Sequence, residues 1–234
     1  MPTSESAPQE ISENLEAVKA KIATASTDVS RKTKSVNLVA VSKTHGIDHI
    51  RPALIAGHRM FGENRVQEAS EKWPILRDEF PDLQLHLIGP LQSNKVKKAI
   101  ELFDVIETVD RPKLARALAR EMAAIGKRPE CLIQINTGEE TQKAGVLPAQ
   151  ADDFISLCRN DLNLPVIGLM CIPPQGEEPG LHFGLLAEMA KRNGLTGLSM
   201  GMSSDYEKAI RFGATHVRVG TAIFGQRRPR QADE

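Results

Sequence analysis

The stretch Asn37-Leu-Val-Ala-Val-Ser-Lys43 predicts a buried β-strand that ends in a lysine, and the turn-like Thr44-His45-Gly46 follows it. Four consecutive apolar residues, two of them β-branched valines, are typical of a strand inside a fold. A lysine at the carboxyl end of such a strand must reach water or take part in chemistry. Burial lowers the pKa of an ammonium group, and the resulting neutral amine can attack a carbonyl carbon. The alternative is an ordinary lysine whose stem packs on the fold while its charge reaches solvent.

Strand and helix patterns alternate along the rest of the chain. The predicted strands cover residues 37–42, 58–61, 83–88, 103–107, 131–135, 165–170, 196–199 and 215–219. The predicted helices cover residues 9–30, 47–56, 64–79, 92–101, 111–125, 148–160, 179–193 and 204–212. Strands separated by helices predict a parallel sheet, and eight strands are the number that closes a barrel. We therefore expect an α/β fold, a single (β/α)₈ TIM barrel with an additional N-terminal helix. An open doubly wound sheet is the alternative, but no G-x-G-x-x-G follows the first strand.

Length and composition favour one soluble domain. We expect residues 1–234 to form a single barrel domain, with residues 1–8 and 228–234 as disordered tails. Basic and acidic residues both number 30, so the net charge is zero and nucleic acid is not expected as a partner. No signal peptide or membrane-spanning apolar run is present, and three cysteines without a C-x-x-C suit a reducing compartment. The prediction is a cytoplasmic protein that does not bind membranes.

Two glycine- and hydroxyl-bearing turns follow the last two predicted strands, at the end where barrels place their active sites. In Gly201-Met-Ser-Ser-Asp-Tyr-Glu207, Ser203 or Ser204 can cap the next helix, and Ser204 with Glu207 fits a capping box. A helix N-terminus offers N–H groups and a positive dipole end to a phosphate. Gly220-Thr221 supplies a second such turn. These turns predict a phosphate site, and ordinary helix capping is the alternative.

Arg218 lies on the last predicted strand, His216-Val-Arg-Val-Gly220. Side chains alternate between the two faces of a strand, so Arg218 and the two valines face opposite ways. We expect Arg218 to be buried inside the barrel, where a guanidinium needs a partner. A structural salt bridge to Glu63 and a role in ligand binding are both open on this pattern.

The histidines do not predict a metal site. His45 and His49 have i, i+4 spacing, but Gly46 lies between them and no acidic third ligand is near in sequence. His86, on a leucine-rich strand, is either a core histidine or a site residue.

Six segments together resemble the family of pyridoxal phosphate homeostasis proteins. They are Val41-Ser-Lys43, Phe61-Gly-Glu-Asn-Arg-Val-Gln-Glu68, His86-Leu-Ile-Gly-Pro-Leu-Gln-Ser-Asn-Lys95, Gly168-Leu-Met170, Leu198-Ser-Met-Gly-Met-Ser203 and Val217-Arg-Val-Gly-Thr-Ala-Ile-Phe-Gly225. The resemblance is collinear over about residues 10–228. The fold of that family is similar to the N-terminal barrel of alanine racemase.

The resemblance implies a cofactor and the residues that hold it. Lys43 would form the internal aldimine with pyridoxal 5′-phosphate, and Asn64 would lie beside the ring. Arg218 would face the pyridine nitrogen. The phosphate would be held by Ser203, Ser204, Gly220 and Thr221. His86 and Met170, which belong to two of the motifs, complete the predicted cofactor-binding set.

Two positions depart from the commonest pattern of the family. Arg65 stands where the second motif usually has tyrosine, and His45-Gly46 replaces a usual Lys-Pro. Both changes concern contacts at the edge of the cofactor.

The predicted function is that of a cofactor carrier in intracellular pyridoxal phosphate homeostasis, without strong catalysis. An arginine does not give up its proton, so it disfavours the pyridinium that makes the cofactor a strong electron sink. Alanine racemases take a second base from a tyrosine on a C-terminal domain, whereas the only tyrosine here is Tyr206, in the helix after strand seven. A single-domain amino-acid racemase of low activity is the alternative. A barrel lyase with a lysine Schiff base to a phosphorylated sugar is a third hypothesis.

The expected partners follow from the carrier role. They are pyridoxal 5′-phosphate itself and the apoenzymes that use it or the enzymes that synthesise it. The expected assembly state is a monomer.

Overall fold

The architecture is a closed barrel of eight parallel strands surrounded by helices. The computed structural model describes residues 6–226. The strands are β1 (Asn37–Val41), β2 (Met60–Glu63), β3 (Gln84–Leu87), β4 (Val105–Val109), β5 (Glu130–Ile135), β6 (Val166–Cys171), β7 (Gly197–Met202) and β8 (His216–Val219). Each strand pairs with the next along the chain, and β8 pairs with β1. The barrel prediction is confirmed, and the open doubly wound alternative is wrong.

Helices follow the strands in the order that the sequence pattern predicts. They are α1 (Ser6–Asp28), α2 (Ile47–Ile55), α3 (Val66–Glu79), α4 (Val96–Leu102), α5 (Pro112–Ile125), α6 (Ala151–Ser156), α7 (Pro179–Arg192), α8 (Tyr206–Arg211) and α9 (Thr221–Phe224). Short 3₁₀ helices cover Thr33–Ser35, Ser93–Lys95 and Pro148–Gln150, and a π-helical turn, Leu157–Asp161, extends α6. The short α9 was not predicted, because four residues are too few to show a helical period.

Local signals explain where the longer helices begin and end. Pro112 stands at the first position of α5, where its missing N–H breaks no hydrogen bond. Gly126 ends the same helix with φ 78°, a left-handed conformation that glycine adopts without a Cβ clash.

The N-terminal helix covers the seam where the barrel closes. Leu15, Val18 and Ile22, at helical spacing, are buried and turn one face of α1 toward the barrel. That helix packs against α2, α8 and α9. The predicted additional N-terminal helix is thus confirmed.

Alternate residues of each strand face the barrel interior. The β1–β8 register pairs Val39 with Arg218, so both point inward, while Leu38 and Ala40 join the large apolar core between barrel and helices. Val105, Leu132 and Met170 form a separate apolar cluster inside the barrel. The interior is therefore apolar on one side and carries a buried arginine on another.

The predicted disordered tails and any membrane-spanning helix can be compared only with the residues that the structure describes. The predicted tails, 1–8 and 228–234, lie outside those residues except for 6–8, which begin α1. No helix within residues 6–226 combines the length and apolar character needed to cross a bilayer.

Candidate functional site

Lys43 lies two residues after the end of β1, in a turn at the carboxyl end of the barrel that we call the Lys43 turn (residues 42–45). Its side chain is half-buried. Thr44, the next residue, has φ 69°, a left-handed conformation that is uncommon for a β-branched residue. The neighbouring strand, β2, pairs Gly62 with Val41, and Asn64 follows two residues later. The register therefore places Asn64 beside Lys43 at the same rim.

The two hydroxyl-bearing turns meet each other next to the strand that carries Lys43. The backbone N–H of Gly220 donates to Ser203 Oγ at 3.4 Å. Gly220 also packs on β1, because a Cβ there would lie 3.2 Å from the carbonyl oxygen of Val41. Ser203, Ser204 and Thr221 have exposed side chains. This arrangement leaves hydroxyl groups available beside Lys43 at the barrel rim.

The predicted capping of the helix after strand seven is wrong. The N-cap of α8 is Asp205, not Ser203 or Ser204, and no side-chain cap of the helix is present at that position. Asp205 instead accepts a hydrogen bond from the backbone N–H of Met202 at 2.6 Å. A capping box between Ser204 and Glu207 requires Ser204 to be the N-cap. Because β7 continues to Met202 and three turn residues follow it, α8 begins one residue too late for that.

Arg218 lies inside the barrel, 4% exposed, below the rim. Its guanidinium donates to Ser199 Oγ at 2.6 Å and to the carbonyl oxygen of Cys171 at 2.8 Å. The carboxylate of Glu107 lies 3.8 Å away. The proposed structural salt bridge to Glu63 is wrong, because Glu63 points out of the barrel toward α3 while Arg218 points in.

Glu107 is the centre of the buried polar network in the barrel interior. Its two carboxylate oxygens lie 2.7 Å from His86 Nδ1 and 2.5 Å from the donating hydroxyl of Ser199. Burial opposes ionisation of this carboxyl, but the hydrogen bond and charge of His86, the charge of Arg218 and the Ser199 hydroxyl outweigh it. The pKa of Glu107 is thereby lowered to about 2. We call the side chains of His86, Glu107, Ser199 and Arg218 the interior network.

Of the remaining two predicted site residues, His86 belongs to the interior network and Met170 borders it. His86 is 2% exposed, and no described residue hydrogen-bonds its Nε2 atom, which is buried. Met170 is fully buried and pairs with Ser199 across β6 and β7. Of the nine predicted residues, six thus lie at the rim and three in the interior directly beneath it. The interior three are His86, Met170 and Arg218.

A second buried network lies outside the barrel, between β1, β2 and α3. Oε1 of Glu63 lies 2.7 Å from Lys72 Nζ and accepts hydrogen bonds from Ser42 Oγ at 2.7 Å and Trp73 Nε1 at 3.1 Å. Burial raises the pKa of the Glu63 carboxyl, and the Lys72 charge opposes that shift only in part. We call the side chains of Ser42, Glu63, Lys72 and Trp73, together with Glu68, the α3 network.

The positions that depart from the family pattern have separate surroundings. The ring of His45 stacks on that of His49 with centroids 4.7 Å apart, and both rings face Phe224. His49 Nε2 also lies 2.9 Å from the carbonyl oxygen of Phe224. The histidines thus join α2 to α9 close to the Lys43 turn. Arg65 is exposed at the N-cap of α3.

A cavity of about 900 Å³ opens beside Ser203 and Ser204, in the turn after β7. Residues of the loops after β6 and β7 line it, including Ile172, Ser203 and Ser204. Within residues 6–226, no three His, Cys, Asp or Glu side chains are grouped so as to hold a metal ion. The cavity thus has room for a small molecule beside the turn after β7, and neither Lys43 nor Gly220-Thr221 is among its lining residues.

Sequence reasoning missed three residues that organise this end of the barrel. Glu107 and Ser199 hold Arg218, and Lys72 lies beneath the Lys43 turn. An acidic residue within the apolar strand Val105-Ile-Glu-Thr-Val109 was the available signal for Glu107. Ser199 and Lys72 carry no comparable signal, because a serine on a strand and a lysine on an exposed helix are both ordinary.

Known proteins share both the sequence and the fold. The chain matches the family described as alanine racemase, N-terminal domain, over residues 13–228. The pyridoxal phosphate homeostasis protein of Vibrio cholerae is 40% identical over 227 residues, covering 93% of this chain and 96% of that protein. PipY of Synechococcus elongatus PCC7942, solved with PLP bound, is 39% identical with a TM-score of 0.79, and the match covers 92% of this chain and all of PipY (100%).

A more distant likeness extends to alanine racemase itself. The enzyme of Corynebacterium glutamicum is 18% identical with a TM-score of 0.67, and the match covers 97% of this chain but 63% of that one. At this identity the likeness concerns the fold alone.

Proposed function

Because the chain belongs to the family of pyridoxal phosphate homeostasis proteins, we propose that it holds pyridoxal 5′-phosphate reversibly on Lys43 for intracellular buffering or delivery. Lys43 Nζ condenses with the aldehyde carbon, water leaves, and a Schiff base remains. When bound to enzymes, this cofactor supplies an electron sink for carbanions. The proposal assigns this chain the holding of the cofactor and not the use of that sink.

The observation that supports the proposal best is the meeting of the two hydroxyl-bearing turns next to the Lys43 strand. Gly220 packs on Val41, two residues before Lys43, and its N–H group donates to Ser203 Oγ. In the proposed site the hydroxyls of Ser203, Ser204 and Thr221 and the backbone at Gly220 bind the phosphate. Hydroxyl and N–H donors suit a phosphate dianion, so the residues present fit the cofactor.

The interior network suits the other end of the cofactor ring. We assign Arg218 to the pyridine nitrogen, Asn64 to the side of the ring, and His86 and Met170 to the layer beneath it. An arginine keeps its protons at ordinary pH and therefore favours an unprotonated ring nitrogen opposite it. Glu107 and Ser199 hold that guanidinium from below. Arg218 would thereby restrain carbanion chemistry.

The environment of Tyr206 also favours a carrier over a racemase. A racemase needs a second acid–base group on the opposite face of its substrate. Tyr206, the only tyrosine of the sequence, is 4% exposed and packs within α8, and burial raises the pKa of its phenol. Its packing makes this phenol a poor candidate for that group.

The Schiff base is tested by spectroscopy of the purified chain incubated with pyridoxal 5′-phosphate. We expect a visible absorption band that borohydride removes, with the added mass located on Lys43 by peptide mapping. Lys43→Ala should lose the band. Lys113→Ala is the matched control, because Lys113 lies exposed at the start of α5, at the same end of the barrel. A wild-type chain without the band would refute the proposal.

Turnover separates the carrier from the racemase. We expect the loaded wild-type chain to interconvert L- and D-alanine no faster than the free cofactor does. A rate well above that of free cofactor, abolished by Lys43→Ala, would make the protein an enzyme.

The proposed partners are apoenzymes that use the cofactor or enzymes that synthesise it, and the proposed assembly is a monomer. Transfer is checked by mixing the loaded chain with such an apoenzyme and following its activity against free cofactor at equal concentration. Sedimentation equilibrium checks the assembly state.

A further inference from the structure

Lys72 on α3 is a buried cation close to the Lys43 turn, and the proposed function leaves it without a role. Its side chain is 9% exposed. Nζ forms ion pairs with Glu63 at 2.7 Å and Glu68 at 2.9 Å. The same atom donates to the carbonyl oxygens of Ser42 at 3.2 Å and His45 at 3.1 Å. One ammonium group thus joins the helix to two backbone positions of the turn.

Those two backbone positions enclose Lys43. Ser42 precedes it and His45 follows it by two residues, so the ammonium of Lys72 fixes the peptide on both sides of the Lys43 Cα. Glu68, one of the two carboxylates paired with Lys72, accepts a hydrogen bond from the backbone N–H of Thr44. Every backbone contact of Lys72 and Glu68 with the turn therefore lies within two residues of Lys43.

The turn needs such support because of its backbone conformation. Thr44 has φ 69°, and a β-branched residue is strained in that region. A strained conformation persists only where its surroundings hold it. Without Lys72 and Glu68 the turn would relax, and the starting direction of the Lys43 side chain would change with it.

Stability alone does not explain a lysine at this position. Burying an ammonium with two carboxylates contributes little net stability compared with apolar side chains of similar size. Trp73, on the same helix, already packs there and donates to Glu63. What the ammonium adds is its pair of hydrogen bonds to the turn.

We propose that Lys72 is a positioning residue that fixes the Lys43 turn, so that Lys43 Nζ points to where the two hydroxyl-bearing turns hold the phosphate. This inference rests on the proposed function, since it concerns the same lysine. A displacement of about 1 Å in a reacting group lowers its effectiveness strongly. The effect should therefore appear in the formation of the covalent bond before it appears in global folding.

The test compares Lys72→Met and Glu68→Gln with Arg77→Met. Arg77 lies on the same helix and pairs with Asp104 at 2.7 Å, away from the Lys43 turn, so its loss controls for a weakened α3. Each variant is titrated with pyridoxal 5′-phosphate at a temperature where circular dichroism shows it folded. We expect Lys72→Met to weaken binding and slow the appearance of the visible band about tenfold or more. Glu68→Gln should have a smaller effect, and Arg77→Met should match wild type within about twofold.

A second readout does not involve the cofactor. Reductive methylation with formaldehyde and cyanoborohydride, followed by mass spectrometry, gives the reactivity of Lys43 relative to that of Lys113. We expect this ratio to change in Lys72→Met and not in Arg77→Met. If Lys72→Met does not fold, Glu68→Gln decides the matter by the same two measurements.

Two results have different meanings. A wild-type chain that forms no band refutes the proposed function and leaves the methylation ratio as the test of the turn. A wild-type chain that forms the band, with folded Lys72→Met equal to Arg77→Met in both measurements, overturns the positioning role alone.

Discussion

Two fully buried glutamates lie on opposite sides of the barrel wall, and their pKa values are shifted in opposite directions. Glu107 faces the interior, and its pKa falls to about 2. Glu63 faces α3, and its pKa rises above the ordinary value. Both are 0% exposed. Burial alone therefore does not set the charge of a carboxyl group in this protein.

The difference lies in how many carboxylate oxygens have partners. Both oxygens of Glu107 are bonded, to His86 and to Ser199, and Arg218 adds its charge. In Glu63 one oxygen takes every contact, and no described residue hydrogen-bonds Oε2. A buried carboxylate is stabilised only when each of its oxygens accepts a hydrogen bond. Both oxygens of the Glu107 carboxylate are thus hydrogen-bonded, whereas the Glu63 carboxylate retains one unsatisfied oxygen.

The largest expected effect is that of Glu107→Gln. The substitution leaves the Arg218 charge buried with hydrogen bonds but no carboxylate, so we expect a loss of about 3–5 kcal/mol in the free energy of unfolding. Urea denaturation near neutral pH measures it. Glu63→Gln is the paired control, and equal losses for the two variants would end the distinction between the networks.

The next largest effect is expected from protonation of His58, which changes the free energy of unfolding over the pH range in which the two glutamates are compared. Burial lowers the pKa of His58 from 6.5 to about 4. A lowered pKa means that the unfolded chain binds the proton first, so stability is full above 6.5 and falls with pH toward 4. We expect a loss of about 2 kcal/mol between about pH 7 and pH 5 from this residue. Urea denaturation of His58→Gln at both values should show a correspondingly flatter profile than wild type. An unchanged slope would contradict the assignment.

Glu63→Gln should give a smaller and oppositely signed pH effect. The raised pKa of Glu63 favours the folded state below the ordinary value of 4.5, and that advantage is lost as pH rises through the raised value. We expect the free energy of unfolding of wild type, minus that of Glu63→Gln, to decline between pH 4.5 and neutrality. The same difference for Glu107→Gln should be nearly flat there, because the folded carboxyl is ionised throughout the range and the unfolded one, with an ordinary pKa of 4.5, titrates mostly below it. A sloping Glu107 difference in that range would show that its carboxyl is not strongly acidic.

The smallest effect is expected from an ion pair outside both networks. Arg192 on α7 pairs with Asp152 on α6 at 2.9 Å, and both side chains are about half exposed. Water already solvates such charges, so Arg192→Gln should change the free energy of unfolding by less than about 0.5 kcal/mol. If Arg192→Gln lowered the free energy of unfolding as much as Glu63→Gln does, burial would not determine how much an ion pair of this protein contributes to stability.

The sequence predicted the strands, the Lys43 turn and the inward direction of Arg218, because these depend on local apolar runs and on alternation along one strand. It did not predict which acid faces Arg218. Glu63 and Glu107 both stand on apolar strands, and only the register around the barrel tells which one points inward. The prediction that Ser203 or Ser204 caps α8 was wrong for a related reason. The strand β7 ends at Met202, three residues beyond the end predicted from its apolar pattern.

Lys72 was hidden for another physical reason. A lysine on an amphipathic helix is normally solvated, and its burial here results from contacts with a turn about 30 residues earlier in the chain. Single-sequence patterns carry no information on such pairs. The interior network has the same character, since Ser199 and Glu107 are 92 positions apart.

The seam between β1 and β8 has a consequence for how the chain acquires its structure. Asn37 pairs with His216, and α1 packs against α8 and α9 as well as α2, so one edge of the first strand and part of the first helix find their partners only when the last elements form. Part of the apolar face of α1 and one edge of β1 therefore stay uncovered until most of the chain has been synthesised. Such long-range closure slows folding and leaves surfaces prone to association. The first elements of the barrel to be synthesised are thus among the last to be fully buried.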